Sequence, residues 1–352
     1  MKKYYISMTD GESGICKYSR DFYQLVLKQR DYIFVDSRTD AIDVLSLITS
    51  RDHVHFEIGI FQRAEIHLLL TMLRANYRNI AVTLHDAPLL KYPVSDFGNP
   101  ILNNLSKFAD IHLTRFRLAA RYMNKINTVY VLSQKGVDLV KRTYDIDNVF
   151  HLPHVIDVGE IRQSPGLQRN FVYLGFIGRN KSIEYALKLH RELLKVDPNI
   201  HFYLIGKALG DQERYRSKLE EKYNGNVHFM GYLPEDRVDE IFQNASFSLQ
   251  PFRSYRFFAP FSGSILYNLK KGNIVFTSAV NTIPEVIDHG KNGFHLSGNL
   301  SGDSKMIGTI LDNEPAIRAV RERAYTYLME NHTAEVAGRA LRDEPVIFSG
   351  IP

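Results

Sequence analysis

The sequence of residues 249–293 is LQPFRSYRFFAPFSGSILYNLKKGNIVFTSAVNTIPEVIDHGKNG, and this stretch decides the predicted fold. Its pattern predicts a strand over 248–252, a helix that opens near Ser262, a second strand over 273–278 and a short helix begun by Pro284. Free backbone N–H groups and the positive end of a helix dipole favour a phosphate at the helix start. The small residues there are Ser262, Gly263 and Ser264.

The first half of the chain alternates short apolar strands with helical or loop segments. This alternation predicts a parallel sheet covered by helices, which binds ligands beyond the carboxyl ends of its strands. The predicted strands are 2–8, 32–37, 53–59, 79–86, 111–116 and 127–133.

Composition indicates an ordinary globular protein of two domains. The chain has 352 residues, of which 44% are hydrophobic and 24% charged, and this excludes a disordered or fibrous chain. The formal net charge of +5 suits anionic partners such as nucleotide diphosphates or anionic lipid, without choosing among them. We do not expect specific nucleic-acid binding from charge alone.

Location is predicted from cysteine use and apolar runs. Cys16 is the only cysteine, so no intrachain disulfide is possible, and the longest apolar run, 66–73, is too short to span a bilayer. We expect a cytoplasmic protein. The basic stretch 115–126 either contacts anionic lipid at the inner face of the membrane or forms the solvated face of a packed helix.

The run from Gly272 through IVFTS to IPEVIDHGKNGFHL resembles the carboxyl-terminal half of family 4 retaining glycosyltransferases. The resemblance implies the GT-B fold, in which two Rossmann-like domains face each other across a cleft. VFHLPHVID, ending at Asp157, resembles the strand that leads into the second domain of that family. We therefore expect a first domain over 1–157 with a carboxyl-terminal helix, 330–352, packed back on it, and a second domain over 158–329.

The chain departs from that family at two positions. The family usually carries two glutamates eight residues apart, of which the first helps to position the donor sugar and the second is associated with the nucleotide ribose. Alignment back from Gly272 puts Ala259 at the first position and Tyr267 at the second, so neither carboxylate is present. Tyr267 is retained as an expected donor-binding residue.

The resemblance also implies a set of donor-binding residues. Arg179 and Lys181 resemble, in shortened form, the arginine and lysine that bind the donor diphosphate, and two cations suit the negative charge that builds on a leaving diphosphate. An exposed charged turn is the alternative. Other residues match family positions near the donor, namely Gly14, Gly206, Gly231, Tyr232 and Leu233.

Two further groups are expected to contact the sugar or the acceptor. His85 and Asp86 end a predicted strand, and a histidine at this place in the family borders the sugar-transfer site. The alternative is a histidine that caps the strand and bonds loop backbone. Arg253 and Arg256 lie in an aromatic loop and either contact the acceptor or belong to a flexible surface loop.

These expectations combine into a retaining glycosyltransferase that moves a sugar from a nucleotide-diphosphate sugar to a glycan or lipid-linked acceptor, in bacterial surface polysaccharide or glycoconjugate synthesis. No protein nucleophile is required, because the departing phosphate in this family is thought to take the acceptor proton. No cofactor or metal is expected. The alternative is an inactive subunit with the same fold that supports an active partner, which the missing glutamates favour.

Overall fold

The computed structural model describes residues 1–8, 11, 13–59, 62–88, 105, 118–159, 167–210, 212–255 and 258–342. The chain forms two compact units. The first unit comprises Met1–Asp157, Arg256–Phe261 and His332–Pro352, and the second comprises Val158–Tyr255 and Ser262–Asn331. Each unit has its own parallel sheet and its own hydrophobic core.

The described part of the first unit contains a six-stranded parallel sheet of order β2-β1-β3-β4-β6-β7. Its central strand β3 is buried along its whole length, as expected for a parallel strand covered on both faces. The strands are β1 Lys3–Ser7, β2 Tyr32–Asp36, β3 His53–Ile58, β4 Ile80–Leu84, the short β5 Asp86–Ala87, β6 Thr128–Val131 and β7 Val149–His151. Strands β1, β2, β3, β4 and β6 coincide with five of the six predicted strands, and the sixth, 111–116, lies outside the described residues. Strand β7 lies in the segment that resembles the strand leading into the second domain.

Helices connect these strands, and side-chain caps fix where several of them begin. The Ser13 hydroxyl accepts a hydrogen bond from the Cys16 N–H (3.2 Å), and the Ser133 hydroxyl accepts one from Gly136 (3.1 Å). Such caps stabilise a helix by about 1 kcal/mol each. The helices are α1 Gly14–Phe22, α2 Ala41–Leu47, α3 Arg63–Arg74, α4 Leu118–Met123 and α5 Gln134–Tyr144.

The second unit repeats this architecture. Its described strands form a parallel sheet of order β10-β9-β8-β11-β13-β14. The strands are β8 Phe171–Leu174, β9 Phe202–Ile205, β10 Val227–Gly231, β11 Phe247–Gln250, β13 Ile274–Ser278 and β14 Phe294–Leu296. The helices are α6 Ile183–Leu193, α7 Gln212–Lys222, α8 Glu235–Gln243, α9 Gly263–Lys270, α10 Leu300–Leu311 and α11 Glu314–Asn331.

A short segment from the second half of the sequence belongs to the first unit. Strand β12, Ala259–Pro260, pairs antiparallel with β5, with Pro260 opposite Asp86. The ring of Phe261 then stacks on His154, with 5.3 Å between ring centroids. The domain prediction placed this segment in the second domain, and the strand pairing is the physical reason why it lies in the first unit.

The end of the described chain also packs on the first unit. Helix α12, Ala334–Ala340, is held by the Arg30 guanidinium, which donates a 2.5 Å hydrogen bond to the Gly338 carbonyl. The Arg342 N–H donates to the Tyr130 hydroxyl (2.6 Å), and its guanidinium lies over the Phe150 ring. Residues 343–352 of the predicted carboxyl-terminal helix lie outside the described residues.

Candidate functional site

In the second unit, the expected donor-binding residues lie at or beyond the carboxyl ends of neighbouring parallel strands. Gly206 follows β9, Gly231 ends β10, and the loop of Arg179 follows β8. Because parallel strands end at the same edge of a sheet, the topology brings these loops to one edge. This is the edge at which an open α/β sheet binds its ligands.

Close backbone packing explains the glycine at position 206. Its N–H donates to the Gly231 carbonyl (2.7 Å), and the Gly175 N–H donates to the Ile205 carbonyl (2.9 Å). A β-carbon at position 206 would lie 2.0 Å from the Gly175 carbonyl oxygen, and Gly206 has a φ of +141°. The strand ends therefore require this glycine whether or not a ligand is bound.

Arg179 and Lys181 contact two different aromatic rings. Both lie in a single 3₁₀ turn after β8. The Arg179 guanidinium lies over the Tyr215 ring (4.7 Å to the centroid), and the Lys181 ammonium lies over the Phe252 ring (5.1 Å). The turn ends at Ser182 with a φ of +52°, in the left-handed region. Arg179 is therefore directed at helix α7 and Lys181 at the loop after β11.

Arg179 also lines a pocket of about 270 Å³ together with Arg214, Tyr215 and Lys218 of helix α7. Within the described part of the chain, none of the three cations forms an ion pair, whereas Arg216 on the same helix pairs with Glu213 and Glu220. Like charges four residues apart disfavour a helix by a few tenths of a kcal/mol. Sequence analysis did not identify Arg214 and Lys218, although their spacing of four residues, which places both on one face of a helix, could have indicated them.

The charge of one carboxylate, Glu184, acts on Tyr215 in the wall of this pocket. Burial, followed by the charge of Glu184, raises the pKa of Tyr215 to about 12, while the positive charges of Arg179 and Arg253 act in the opposite direction. The tyrosine is therefore neutral at physiological pH. Two positive charges, Arg179 and Arg253, and one negative charge, Glu184, act on this tyrosine.

The start of helix α9 carries a chain of polar side chains. The hydroxyls of Ser262 and Ser264 lie 3.0 Å apart, and Ser264 donates to the Gln250 amide oxygen (2.9 Å). The Gln250 amide in turn donates to the Leu174 carbonyl (3.1 Å). No side chain in the described chain caps the amides of this helix start, which Gly263 opens. Uncapped amides at a helix start favour an anion, so the phosphate site at residues 262–264 stays a prediction.

Three further expected donor-binding residues differ in exposure. Tyr232 is 49% exposed beyond β10, whereas Leu233 is half-buried and packs in the apolar cluster beside helix α8. Tyr267 is only 7% exposed and packs in the same cluster. Its hydroxyl donates to Asp239 (2.8 Å). The exposed Tyr232 ring is therefore the one available to a ligand.

The loop after β11 is held by two residues that sequence analysis did not single out. The side chain of Asn281 accepts a hydrogen bond from the Tyr255 N–H (2.8 Å) and donates one to the Arg253 carbonyl (2.9 Å). The Ser278 hydroxyl accepts one from the Phe252 N–H (3.1 Å). Arg253 thus extends from an anchored backbone, while Arg256 lies outside the described residues.

In the first unit, His85 lies at the carboxyl end of β4 and is paired with a buried glutamate. Its Nε2 atom is 2.7 Å from Glu57 Oε2, and Glu57 is fully buried on the neighbouring strand β3. The Tyr18 ring meets the His85 ring edge-on, with 4.9 Å between centroids. Sequence analysis did not identify Glu57, although a lone carboxylate in a buried strand is an informative signal.

Gly14 and Asp86 are the other expected site residues of the first unit. Gly14 opens helix α1, which carries Tyr18, and a β-carbon on Gly14 would meet nothing within 4 Å. A larger residue would therefore fit at position 14 without a steric clash, and the backbone there does not have a positive φ. Asp86 lies in β5, directly after His85, opposite Pro260 in the two-stranded ladder.

The described residues bear on the predicted membrane contact and on metal binding. Helix α4 carries the exposed Arg121, and Lys125 follows it, while 115–117 of the basic stretch lie outside the described residues. No described helix is both long and apolar enough to span a membrane. No three or more histidine, cysteine or acidic side chains in the described residues are grouped to hold a metal ion.

Comparison with solved structures places this architecture among GT-B glycosyltransferases. Anabaena HepE, crystallised with UDP and glucose, has a TM-score of 0.70 at 14% identity, with 96% of this chain and 97% of HepE covered. An α-glucosyltransferase crystallised with UDP and a 13-mer DNA has a TM-score of 0.65 at 12% identity, covering 96% and 97%. For S. aureus TarM the TM-score is 0.63 at 14% identity, covering 84% of this chain. The chain spans 55% of the TarM chain.

Sequence comparison finds a family match in the second half of the chain. Residues 158–327 match the family described as Glycosyl transferases group 1, and this match covers a little under half of the chain. No curated protein sequence matches the chain. The chain therefore has the GT-B fold, and its residues 158–327 are similar to the group 1 glycosyltransferases.

Proposed function

We propose that the protein is a retaining glycosyltransferase that moves a sugar, of the hexosyl type, from a nucleotide-diphosphate sugar to a glycan or lipid-linked acceptor. The observation that carries the proposal is the match of 158–327 to group 1 glycosyltransferases, in a part of the chain where Arg179, Arg214 and Lys218 line one pocket and no described side chain caps the start of helix α9. Solved neighbours with UDP or UDP-glucose support a nucleotide donor.

The donor diphosphate is assigned to the second unit. Lys181, Arg179 and the amides at Ser262–Ser264 supply positive charge, which stabilises a leaving diphosphate as negative charge develops on it. The exposed Tyr232 ring is assigned to the nucleobase, since an aromatic face can stack on a base. Arg253 and Asp86 are assigned to the acceptor.

The first unit contributes His85, which is assigned to the donor sugar. The proposed reaction needs no protein nucleophile, because the departing phosphate takes the acceptor proton on the same face, and we expect it to proceed without a metal. We place it in bacterial surface polysaccharide or glycoconjugate synthesis, at the cytoplasmic side of the membrane. The alternative of an inactive supporting subunit is not favoured, because the matching family and two of the UDP-bound neighbours are transferases by name.

The test is a transfer assay with the full chain. The purified protein is incubated with UDP-, GDP-, ADP- and dTDP-sugars and with glycan and lipid-diphosphate acceptors, and the products are analysed by NMR. We expect one donor to be consumed with its anomeric configuration kept. A product of inverted configuration would exclude the retaining mechanism, and no transfer from any donor would contradict the proposed activity.

A further inference from the structure

Residues 258–261, called the strap below, lie beyond the carboxyl end of β4 in the first unit. The strap contains β12, which pairs with β5 directly after β4 and also packs against helix α5. Its neighbours in sequence, Tyr255 and Ser262, belong to the second unit. Because ligands of a parallel sheet bind beyond the carboxyl ends of its strands, the strap lies at the ligand-binding edge of the first unit.

The pairing of the strap leaves room for only a small side chain at position 259. Ala259 is directly opposite Ala87, so the two side chains lie on the same face of the ladder. Both are almost completely buried. Helix α5 comes close to this face, since a β-carbon on Gly136 would lie 3.3 Å from the β-carbon of Ala87. A longer side chain at position 259 would therefore have to displace the strap or the helix.

The ladder itself is short and needs a further attachment. Each strand contributes two residues, and the second pair is Pro260 opposite Asp86. A proline has no N–H to donate to a ladder and is confined to sheet edges, as it is here. A two-stranded ribbon is only marginally stable by itself. The strap must therefore be held at another point.

Phe261 supplies that attachment. Its ring stacks on His154, with 5.3 Å between centroids and 24° between the ring planes, and lies 6.2 Å from the His332 ring. The backbone under these rings is fixed, because the His332 Nδ1–H donates to the His154 carbonyl (2.8 Å) and the Ile156 N–H donates to the His332 carbonyl (2.9 Å). The strap is thus anchored on a rigid part of the first unit, one residue after Pro260.

We infer that the strap holds strand β5 in place and thereby positions Asp86 for the acceptor, with Phe261 as its anchor. Phe261 and Ala259 are positioning residues, since they act through the ladder and not by touching the substrate. The acceptor contact of Asp86 rests on the proposed function, whereas the hold of the strap on β5 does not. Position 259 consequently serves the packing of the first unit.

Hydrogen exchange of the full chain tests the hold of the strap on β5. In Phe261→Ala we expect the amides of Asp86 and Ala87 to exchange about 10-fold faster than in the wild type, with those of β3 unchanged. Phe261→Tyr keeps the ring and should exchange like the wild type. Unchanged exchange at Asp86 and Ala87 in Phe261→Ala would overturn the inference. Faster exchange throughout the first unit, β3 included, would also overturn it, because Phe261 would then be an ordinary core residue.

A glutamate at position 259 tests the tight contact. Ala259→Glu should lower Tm and speed exchange at Asp86 and Ala87, because the longer side chain does not fit beside Ala87. Ala75→Glu, which adds the same charge at an exposed position of the first unit, is the matched control and should change neither. Wild-type exchange and Tm in Ala259→Glu would show that the ladder accommodates a carboxylate, which would contradict the proposed packing role.

Kinetics of sugar transfer test the positioning of Asp86. Phe261→Ala should raise KM for the acceptor about 5-fold and leave KM for the donor within about twofold, since only the acceptor contact is displaced. Phe261→Tyr should restore the acceptor KM. Equal increases in both KM values would contradict a role specific to the acceptor. No transfer by the wild type would instead count against the proposed function, whereas unchanged exchange in β5 would count against the strap.

Discussion

The hydroxyl of Tyr267 donates a 2.8 Å hydrogen bond to Asp239, and the same carboxylate pairs with Lys271 (2.6 Å). The Tyr267 ring packs edge-on against Phe242, with 5.5 Å between centroids. The Lys271 ammonium lies over the Tyr267 ring, 5.2 Å from its centroid. Helices α8 and α9 are joined by these contacts, so Tyr267 acts in packing.

Tyr267→Phe is therefore expected to lower stability without affecting the donor. Loss of one hydrogen bond to a carboxylate should reduce the free energy of unfolding by about 1–3 kcal/mol. Urea unfolding measures this loss, and calorimetry with the donor nucleotide should give an unchanged Kd. A weaker Kd at unchanged stability would instead support the donor-binding role predicted from the alignment.

Gly206→Ala is expected to destabilise the second unit. The added carbon would meet the Gly175 carbonyl oxygen at 2.0 Å in a backbone conformation that L residues rarely adopt. We expect a loss on the order of 3 kcal/mol, measured by thermal or urea unfolding. Gly231→Ala is the matched control, because Gly231 also has a positive φ but has open space around its α-carbon. Equal losses in both variants would refute the steric explanation.

The double variant Arg214→Ala/Lys218→Ala is expected to weaken binding of a nucleoside diphosphate about 10-fold and to leave binding of the nucleoside unchanged. The two cations line the pocket beside Arg179, and their attraction for phosphate should fall as salt is raised. Arg216→Ala is the control on the same helix, because Arg216 is already paired with two glutamates. Equal effects of the double variant and Arg216→Ala would contradict a phosphate role.

Stability is expected to fall on mild acidification. Burial lowers the pKa of His332 to about 4 and that of His154 to about 3, whereas an unfolded histidine titrates near 6.5. Between pH 6.5 and 4 the unfolded chain therefore takes up protons that the folded chain excludes, so the free energy of unfolding decreases as pH falls. At pH 5 the loss should be at most about 2 kcal/mol per histidine relative to pH 7.

His332→Gln should remove part of this pH dependence. A glutamine can donate to the His154 carbonyl as the His332 Nδ1–H does, but it does not titrate. Urea unfolding at pH 7 and pH 5 gives the difference, and His67→Gln, at an exposed position of α3, is the control. An unchanged difference in His332→Gln would show that other groups cause the acid sensitivity.

Much of the fold was predictable because its signals are local. Apolar strands alternating with helices led to the parallel sheets, and the pattern of 249–293 led to β11, α9 and β13 as observed. The placement of β12 was not predictable, because pairing between Ala259 and Ala87 joins residues far apart in sequence. No local pattern encodes such a contact.

The candidate site was predictable in position more than in detail. Strand ends identified the regions of His85, Arg179 and Ser262, since ligands meet parallel sheets at that edge. Side-chain direction depends on packing. The sequence therefore did not show that Arg179 lies over the Tyr215 ring and Lys181 over the Phe252 ring. The burial of Tyr267 and the Glu57 partner of His85 likewise depend on neighbouring elements.

The most direct test of the donor site is a thermal-shift comparison of the wild type, Lys181→Ala and Lys188→Ala with UDP, GDP, ADP, CMP and dTDP. A ligand that binds only the folded state raises Tm. The account predicts that one nucleoside diphosphate raises Tm in the wild type and in Lys188→Ala, whose lysine is exposed on α6, but much less in Lys181→Ala. No shift with any nucleotide, or an undiminished shift in Lys181→Ala, would contradict the donor site proposed here.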